Sequence, residues 1–507
     1  MASTTTTQQP KAQPNGHRHT NGGSLSDHGP GVVGEGWNGR SFGVPLPSPL
    51  ESLPGSVTML DSAVFRTMFG SDTMREIMCD RTYVKRLVEV EVALAEVEGD
   101  LGIIPQWAAQ CVAKYADASK INLERLRHET DIVGYSILPL VRQLSEMCGE
   151  AGKFVHVGFN TQDIHDLAVS LQIKAGLDLI EDQLNTARAT LVRLAKEHKN
   201  TIMMGRTHLQ HALPVTFGYK CAVYLASLDR HAERLAQLRP RALLASIGGA
   251  SGSLGSMGMG TGTSLPDGIR TISAICKRLG LTEPSICIHV TRDHIVETIS
   301  FLAAVCGSLG KIAYDVMLMS SVEIAEVKEP FVPHRGASST MPHKRNPISS
   351  EIVMAIARLT RSHVATAMDT LVSDFERATG PWHLEFVVIP ETFTYTSNSL
   401  VQCNFILDNM TVDTSRMRKN LSLSKGLIMA EHVMVGLADK VGRVQAHDII
   451  YEDCKRCIET GEPLVDLLLV NPAVTKYLSR DDVAWRMEPG NYLGSCLVWV
   501  DQVVGDR

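Results

Sequence analysis

No proline interrupts the chain from Leu140 to Leu213, and within that stretch Leu177, Ile180, Leu184, Leu191 and Leu194 keep a three- and four-residue apolar step through Asp163 to Glu197. At about 1.5 Å per residue such a helix is about 52 Å long, more than an ordinary domain diameter. A stripe of that length needs partners of equal length to cover it. The same step returns over 215–239, opened by Pro214, over 293–327, and again after Pro347. Ahead of these, Met74, Ile77, Met78, Val84, Leu87 and Val88 predict one long amphipathic helix from Ser71 to Leu101. The pattern predicts an all-α fold, an elongated helical bundle completed by further copies of the chain.

Composition narrows the partners. Lys plus Arg total 49 against 55 Asp plus Glu, a formal charge of −6, so there is no basic surplus for nucleic acid or an anionic membrane. Small anions remain open through local cations. The longest apolar stretch, Ile299 to Gly310, is closed by Glu297 and Lys311, short of the ~20 residues of a membrane span. Nothing at the start reads as a signal or transit segment, so a cytoplasmic protein is expected. Eleven scattered cysteines read as reduced thiols, and the lone Cys454/Cys457 pair as two thiols on a helix face rather than a metal or redox site. No metal or cofactor is expected.

Residues 1–55 hold 10 of the 40 glycines and 7 of the 22 prolines, a composition that cannot offset ordering entropy. A disordered tail is expected there, with His17, His19 and His28 as spacers. The remainder divides into an N-terminal helical domain (56–155), a central long-helix domain (156–390) and a C-terminal helical domain (391–507). The Gly-rich runs at 248–262 and 336–339 lack flanking strand patterns and read as loops beside the bundle.

Gly336-Ala337-Ser338-Ser339-Thr340-Met341-Pro342-His343-Lys344-Arg345-Asn346-Pro347 carries the most chemistry. Small residues give a mobile loop, Ser338 offers a hydroxyl, Lys344 a cation, and Asn346 an amide ahead of a proline-started helix. Such a loop can close over an anion, although composition alone leaves a plain surface loop equally open.

The segment resembles the signature loop of the fumarase/aspartase superfamily, G-S-S-x-M-P-x-K-x-N, with Ala337 in place of its glycine. Two further stretches agree, His156-Val157-Gly158-Phe159-Asn160-Thr161-Gln162-Asp163 and Gly205-Arg206-Thr207-His208-Leu209-Gln210. The resemblance runs from about Phe69 to the C-terminus. It implies an all-helical homotetramer with active sites built from three subunits, without cofactor or metal. Carried over by position, Ser338 resembles the general base, and Lys344 and Asn346 the residues that hold a substrate carboxylate. His208 resembles the histidine that serves the leaving group, with Glu351 as its carboxylate partner. His156, Thr161, Thr207, Arg292 and Arg377 resemble substrate-contacting positions. For Thr161 a helix cap, and for Arg292 a surface ion pair, stay open as alternatives.

The stretches 209–218, 376–383 and 426–431 are most similar to 3-carboxy-cis,cis-muconate cycloisomerases. That branch also resembles trans-aconitate decarboxylase, and His208 is a feature of adenylosuccinate-type elimination lyases. The resemblance therefore implies a lyase or cycloisomerase acting on a small unsaturated polycarboxylate through a carbanion beside a carboxylate. Phe159-Asn160 stands where a small residue and a Thr or Ser are usual, a change of volume and hydrogen bonding at the first substrate loop. A non-catalytic protein on this scaffold would be expected to lose one of Ser338, Lys344, Asn346, His208 and Glu351, and all five are present.

Overall fold

The computed structural model describes residues 55–257, 266–377 and 379–507. The expected tail therefore lies, but for Gly55, outside the described residues, as do its three histidines. The rest is helical, with two small two-stranded sheets.

Five long helices form the bundle: α1 (Thr161–Glu197), α2 (Phe217–Ala242), α3 (Asp293–Ser320), α4 (Ile348–Asp369) and α5 (Pro381–Asn409). The apolar step of α1 is the buried step, since Leu167, Leu177, Ile180, Leu184 and Leu191 are fully enclosed. Each such side chain contributes about 1.5–3 kcal/mol of burial. α1 packs along α2 and α5, and α3 packs along α2, α4 and α5. By length and composition α3 could cross a membrane, with a mean hydropathy of 1.5 over its most apolar window, yet 61% of that window is buried by its neighbours. The stretch without a charge is still the one closed by Glu297 and Lys311.

Local chemistry sets the boundaries. Asn160 caps α1, its Oδ1 accepting from Gln162 N at 2.7 Å while Asp163 Oδ2 accepts from Asn160 N at 2.8 Å. Thr161 is thus the first helical residue, and the cap that stood as its alternative role belongs to its neighbour. α2 opens two residues later than expected because Thr216 is its cap, accepting from Tyr219 N at 3.0 Å. α3 stops at Ser320, seven residues short of the expected 327, where the chain turns toward a short strand at Val327–Lys328. The helix expected over 71–101 is two, Asp72–Met78 and Asp80–Asp100, broken at an extended Cys79 (φ −73°, ψ 161°).

A hairpin that no sequence pattern announces stands between α1 and α2, β1 (Ile202–Thr207) paired antiparallel with β2 (Gln210–Thr216). A separate apolar cluster, from Val433 to Val483, fills the C-terminal helices, where Cys457 is a buried wall of the core. That change of core falls well past residue 390, which lies inside α5, a helix packed on the bundle and on the N-terminal helices Arg66–Phe69 and Asp72–Met78.

Candidate active site

The hairpin presents His208. Thr207 pairs with Gln210, so His208 and Leu209 are the two turn residues, both at positive φ (50° and 62°). That is the hairpin turn normally reserved for Asn-Gly, and holding it with His-Leu costs about 1–3 kcal/mol per residue. The surrounding chain holds it. Gly205 sits at a bulge where a Cβ would lie 2.6 Å from Leu213 O. Arg206 clamps fully buried Glu326 with two bonds of 2.9 and 2.7 Å, and Glu326 also accepts from Asn420 Nδ2 at 2.8 Å. Thr207 and His208 are left exposed at the tip.

The signature loop is pinched at its neck. Asn346 N donates to Gly336 O at 2.9 Å, and Gly336, at φ +70°, has Asn346 O where a Cβ would come within 2.3 Å, so only glycine fits. Arg335 anchors the near side, donating to Ser349 Oγ (2.6 Å) and Gln402 Oε1 (3.0 Å) with its guanidinium over the Phe405 ring. Glu329 anchors the far side, accepting from Ser350 N and Oγ at 2.7 Å each. Within the loop, Ser338 Oγ accepts from the backbone N–H groups of Thr340 (3.3 Å) and Met341 (3.1 Å). Donors aimed at a hydroxyl oxygen favour its deprotonated form. Lys344 stands exposed nearby in the chain, with no ion-pair or hydrogen-bond partner for its ammonium among the described residues.

The third segment leads into α1. His156 is held at φ 64°, and its Nδ1 lies 2.7 Å from Oε1 of Glu91, a carboxylate sealed from solvent, while the ring keeps 20% exposure. Burial alone would push this imidazolium's pKa down; the Glu91 charge outweighs it and raises the value. Asp163 ties the segment to its surroundings by accepting from Gly248 N (2.8 Å) and Gly249 N (3.1 Å) and pairing with His289 Nε2 at 2.8 Å. Of the eight non-glycine residues at positive φ among the described residues, six, His156, His208, Leu209, His334, Phe375 and Lys425, lie in or beside the stretches that carry the family resemblance.

Two expected substrate ligands make their bonds inside the chain, Arg377 through Nη2 alone with its Nε buried and unbonded among the described residues. Arg292 is not a surface residue but 3% exposed, bonded to Asp166 (2.8 Å) and Glu385 (2.7 and 2.5 Å). Arg377 donates to Gly249 O and Ala250 O, clamping the loop that Asp163 also holds. Nor does one chain join His208 to Glu351: both are exposed and no hydrogen bond links them. α1 itself separates the segments. His156 and Thr161 stand at its start, and the hairpin packs on Leu421, Ile428 and Met429 beyond its other end, about 55 Å away along the axis.

Glu91, Glu98 and Glu326 escape sequence reasoning. The signal for the first two is a carboxylate in an apolar stripe, since Val84, Leu87, Glu91, Leu94 and Glu98 share one buried face. Glu98, with neither oxygen hydrogen-bonded among the described residues, is pushed up to about 9 by burial and then by Glu91. Among the described residues no cluster of three or more His, Cys, Asp or Glu is arranged to hold a metal.

Comparison with known proteins agrees over almost the whole of this architecture. Residues 66–359 match the lyase family and residues 426–503 the adenylosuccinate lyase C-terminus. The chain is 39% identical to trans-aconitate decarboxylase 1 of Mycosarcoma maydis over 89% of this chain and 91% of that protein. It is 36% identical to the 3-carboxy-cis,cis-muconate cycloisomerase of Pseudomonas aeruginosa over 88% and 96%. Among solved structures, a fumarate lyase from Mesorhizobium sp. BNC1 superposes with a TM-score of 0.80 at 46% identity, covering 87% of this chain and 99% of that one. The chain belongs to the fumarase/aspartase superfamily and is an enzyme of that lyase group.

Proposed function

We propose that the enzyme acts, without a cofactor, on a small unsaturated polycarboxylate by moving a proton at the carbon beside a carboxylate. The observation that carries this reading is the cradle of Thr340 N and Met341 N around Ser338 Oγ, three to six residues from an unpaired Lys344 and from Asn346. An ordinary serine hydroxyl is too weak a base for such a proton; backbone donors that favour its alkoxide make it competent. Removing that proton puts a second negative charge on the carboxylate, and a cation with no partner of its own can stabilise it. His208 at the hairpin tip then serves the leaving group or returns the proton, with Glu351 fixing its tautomer once subunits meet.

Assembly is part of the proposal. With His156 and Thr161 at one end of α1 and His208 at the other, a site that uses both draws them from different copies of the chain. The bundle has faces to bring copies together: Tyr314 on α3, Leu359 and Met368 on α4, and Val387 and Val401 on α5 are 39–52% exposed. We read the active form as a homotetramer. Light scattering that returned the 55.4 kDa monomer mass at micromolar concentration would overturn this part.

The leading substrate type is that of the 3-carboxy-cis,cis-muconate cycloisomerases; decarboxylation of trans-aconitate and elimination from an adenylosuccinate-type substrate are the other readings. Purified enzyme offered carboxymuconate, cis- and trans-aconitate, adenylosuccinate, argininosuccinate and fumarate, with absorbance and CO2 followed together, separates them. Ser338→Ala is expected to lower kcat on the true substrate by roughly 10²–10⁴ with binding retained. Near-normal turnover in that variant would remove Ser338 from the mechanism.

A further inference from the structure

A cavity of about 320 Å³ opens beside the first turn of α1, and Thr161 is part of its wall. Its other walls are largely aromatic. Tyr135 stacks on Trp382 (ring centres 5.7 Å apart, 29° between planes), Trp382 meets His165 edge-on at 5.0 Å, and Phe386 lies 4.4 Å from His165. Apart from the Tyr135 hydroxyl, the polar groups among and beside them already have partners in the chain. Tyr83 Oη and His165 Nδ1 are 2.7 Å apart, Trp382 Nε1 donates to Asp166, and both oxygens of Glu385 are bonded to Arg292. Burial pushes His165 down to about 4 and Tyr83 up to about 12, so both walls are neutral near pH 7. No lysine or arginine lines the space, and its one exposed ionisable residue, Asp80, is acidic.

A carboxylate placed there would lose its hydration and find no cation, only the hydroxyls of Tyr135 and Thr161, which do not balance a buried charge. An uncharged group would lose little and gain contact with ring faces. We propose that this cavity is a specificity subsite that receives an uncharged, largely apolar substituent of the substrate, while the carboxylates remain outside with Lys344 and Asn346. The proposal rests on the polycarboxylate reading above and extends it: the substrate is a polycarboxylate with an apolar arm, and Tyr135, Trp382 and Phe386 select the arm.

The test measures binding of three probes to the full-length enzyme by calorimetry and by Trp fluorescence: succinate, benzyl alcohol and 2-benzylsuccinate. The expected result is that 2-benzylsuccinate binds roughly 10- to 100-fold more tightly than succinate, the scale set by one buried apolar group. Val169→Phe, which fills the cavity from α1, is expected to abolish that preference while leaving succinate binding unchanged, which also shows that the variant is folded. Phe386→Ala, which widens the half-exposed mouth, is expected to reduce the preference without abolishing it. If succinate binds and the benzyl arm adds less than about twofold, or the preference survives Val169→Phe, the subsite is overturned. If benzyl alcohol binds in a Val169-dependent way and succinate does not bind, the subsite stands and the polycarboxylate reading falls. Binding of neither overturns both.

Discussion

Arg292 and Lys344 are both cations that the superfamily resemblance places against the substrate, and the chain treats them in opposite ways. Arg292 is sealed at the base of the bundle with Asp166 and Glu385 as its counter-charges. Lys344 is exposed on a pinched loop with no counter-charge among the described residues. A guanidinium sealed from solvent, with four of its five N–H donors on two buried carboxylates, serves the architecture. An ammonium with nothing to bind serves whatever arrives.

The sharpest way to break this contrast is Arg292→Ala. It leaves two carboxylates buried without a cation, so a loss of about 3–5 kcal/mol is expected in denaturant unfolding. A stable Arg292→Ala protein that had lost only substrate affinity would return Arg292 to the site. Lys344→Ala is the mirror experiment. Unfolding should stay within about 0.5 kcal/mol of wild type, while kcat/KM falls by roughly 10²–10³, since one cation serves both the bound carboxylate and its dianion. Arg206→Lys tests a smaller effect. It replaces a two-bond clamp on Glu326 with a single contact, and kcat is expected to fall roughly tenfold through a looser His208 turn, with KM little changed.

The smallest effect is one of pH. Burial would depress the His289 imidazolium, but Asp163 and Cys287 outweigh it and raise the value to about 9. The folded protein then holds a proton that the unfolded chain releases near 6.5. The pair's stabilisation is complete below that pH and is lost as pH rises through about 9. Melting temperature should therefore decline over this window, and His289→Gln should flatten the decline while lowering the value at pH 6.5. A wild-type curve that rose across the window would reverse the assignment.

The bundle was legible because burial in a helix repeats every three to four residues, and Leu177, Ile180 and Leu184 display that period locally. The hairpin was not, because β2 carries Pro214 and no alternation, and its conformation is imposed by Glu326 and Asn420, far along the chain. Cys79 breaks a helix with neither glycine nor proline to announce it. Ser338, Lys344, Asn346 and His208 could be singled out as candidates because they sit in contiguous motifs. The fates of Arg292 and Arg377 could not, since their partners lie 93 to 128 positions away.

α1 works as a ruler. By holding two sets of candidate site residues a helix length apart, it would give each chain of the proposed tetramer two half-sites and no whole one. Damage is therefore local to an end rather than to a chain. A variant crippled at His208 and another crippled at Thr161, each inactive alone, will restore activity when their subunits are dissociated and reassembled together, because some sites then draw both halves from undamaged ends. Two genes with different faults can in this way make one working enzyme.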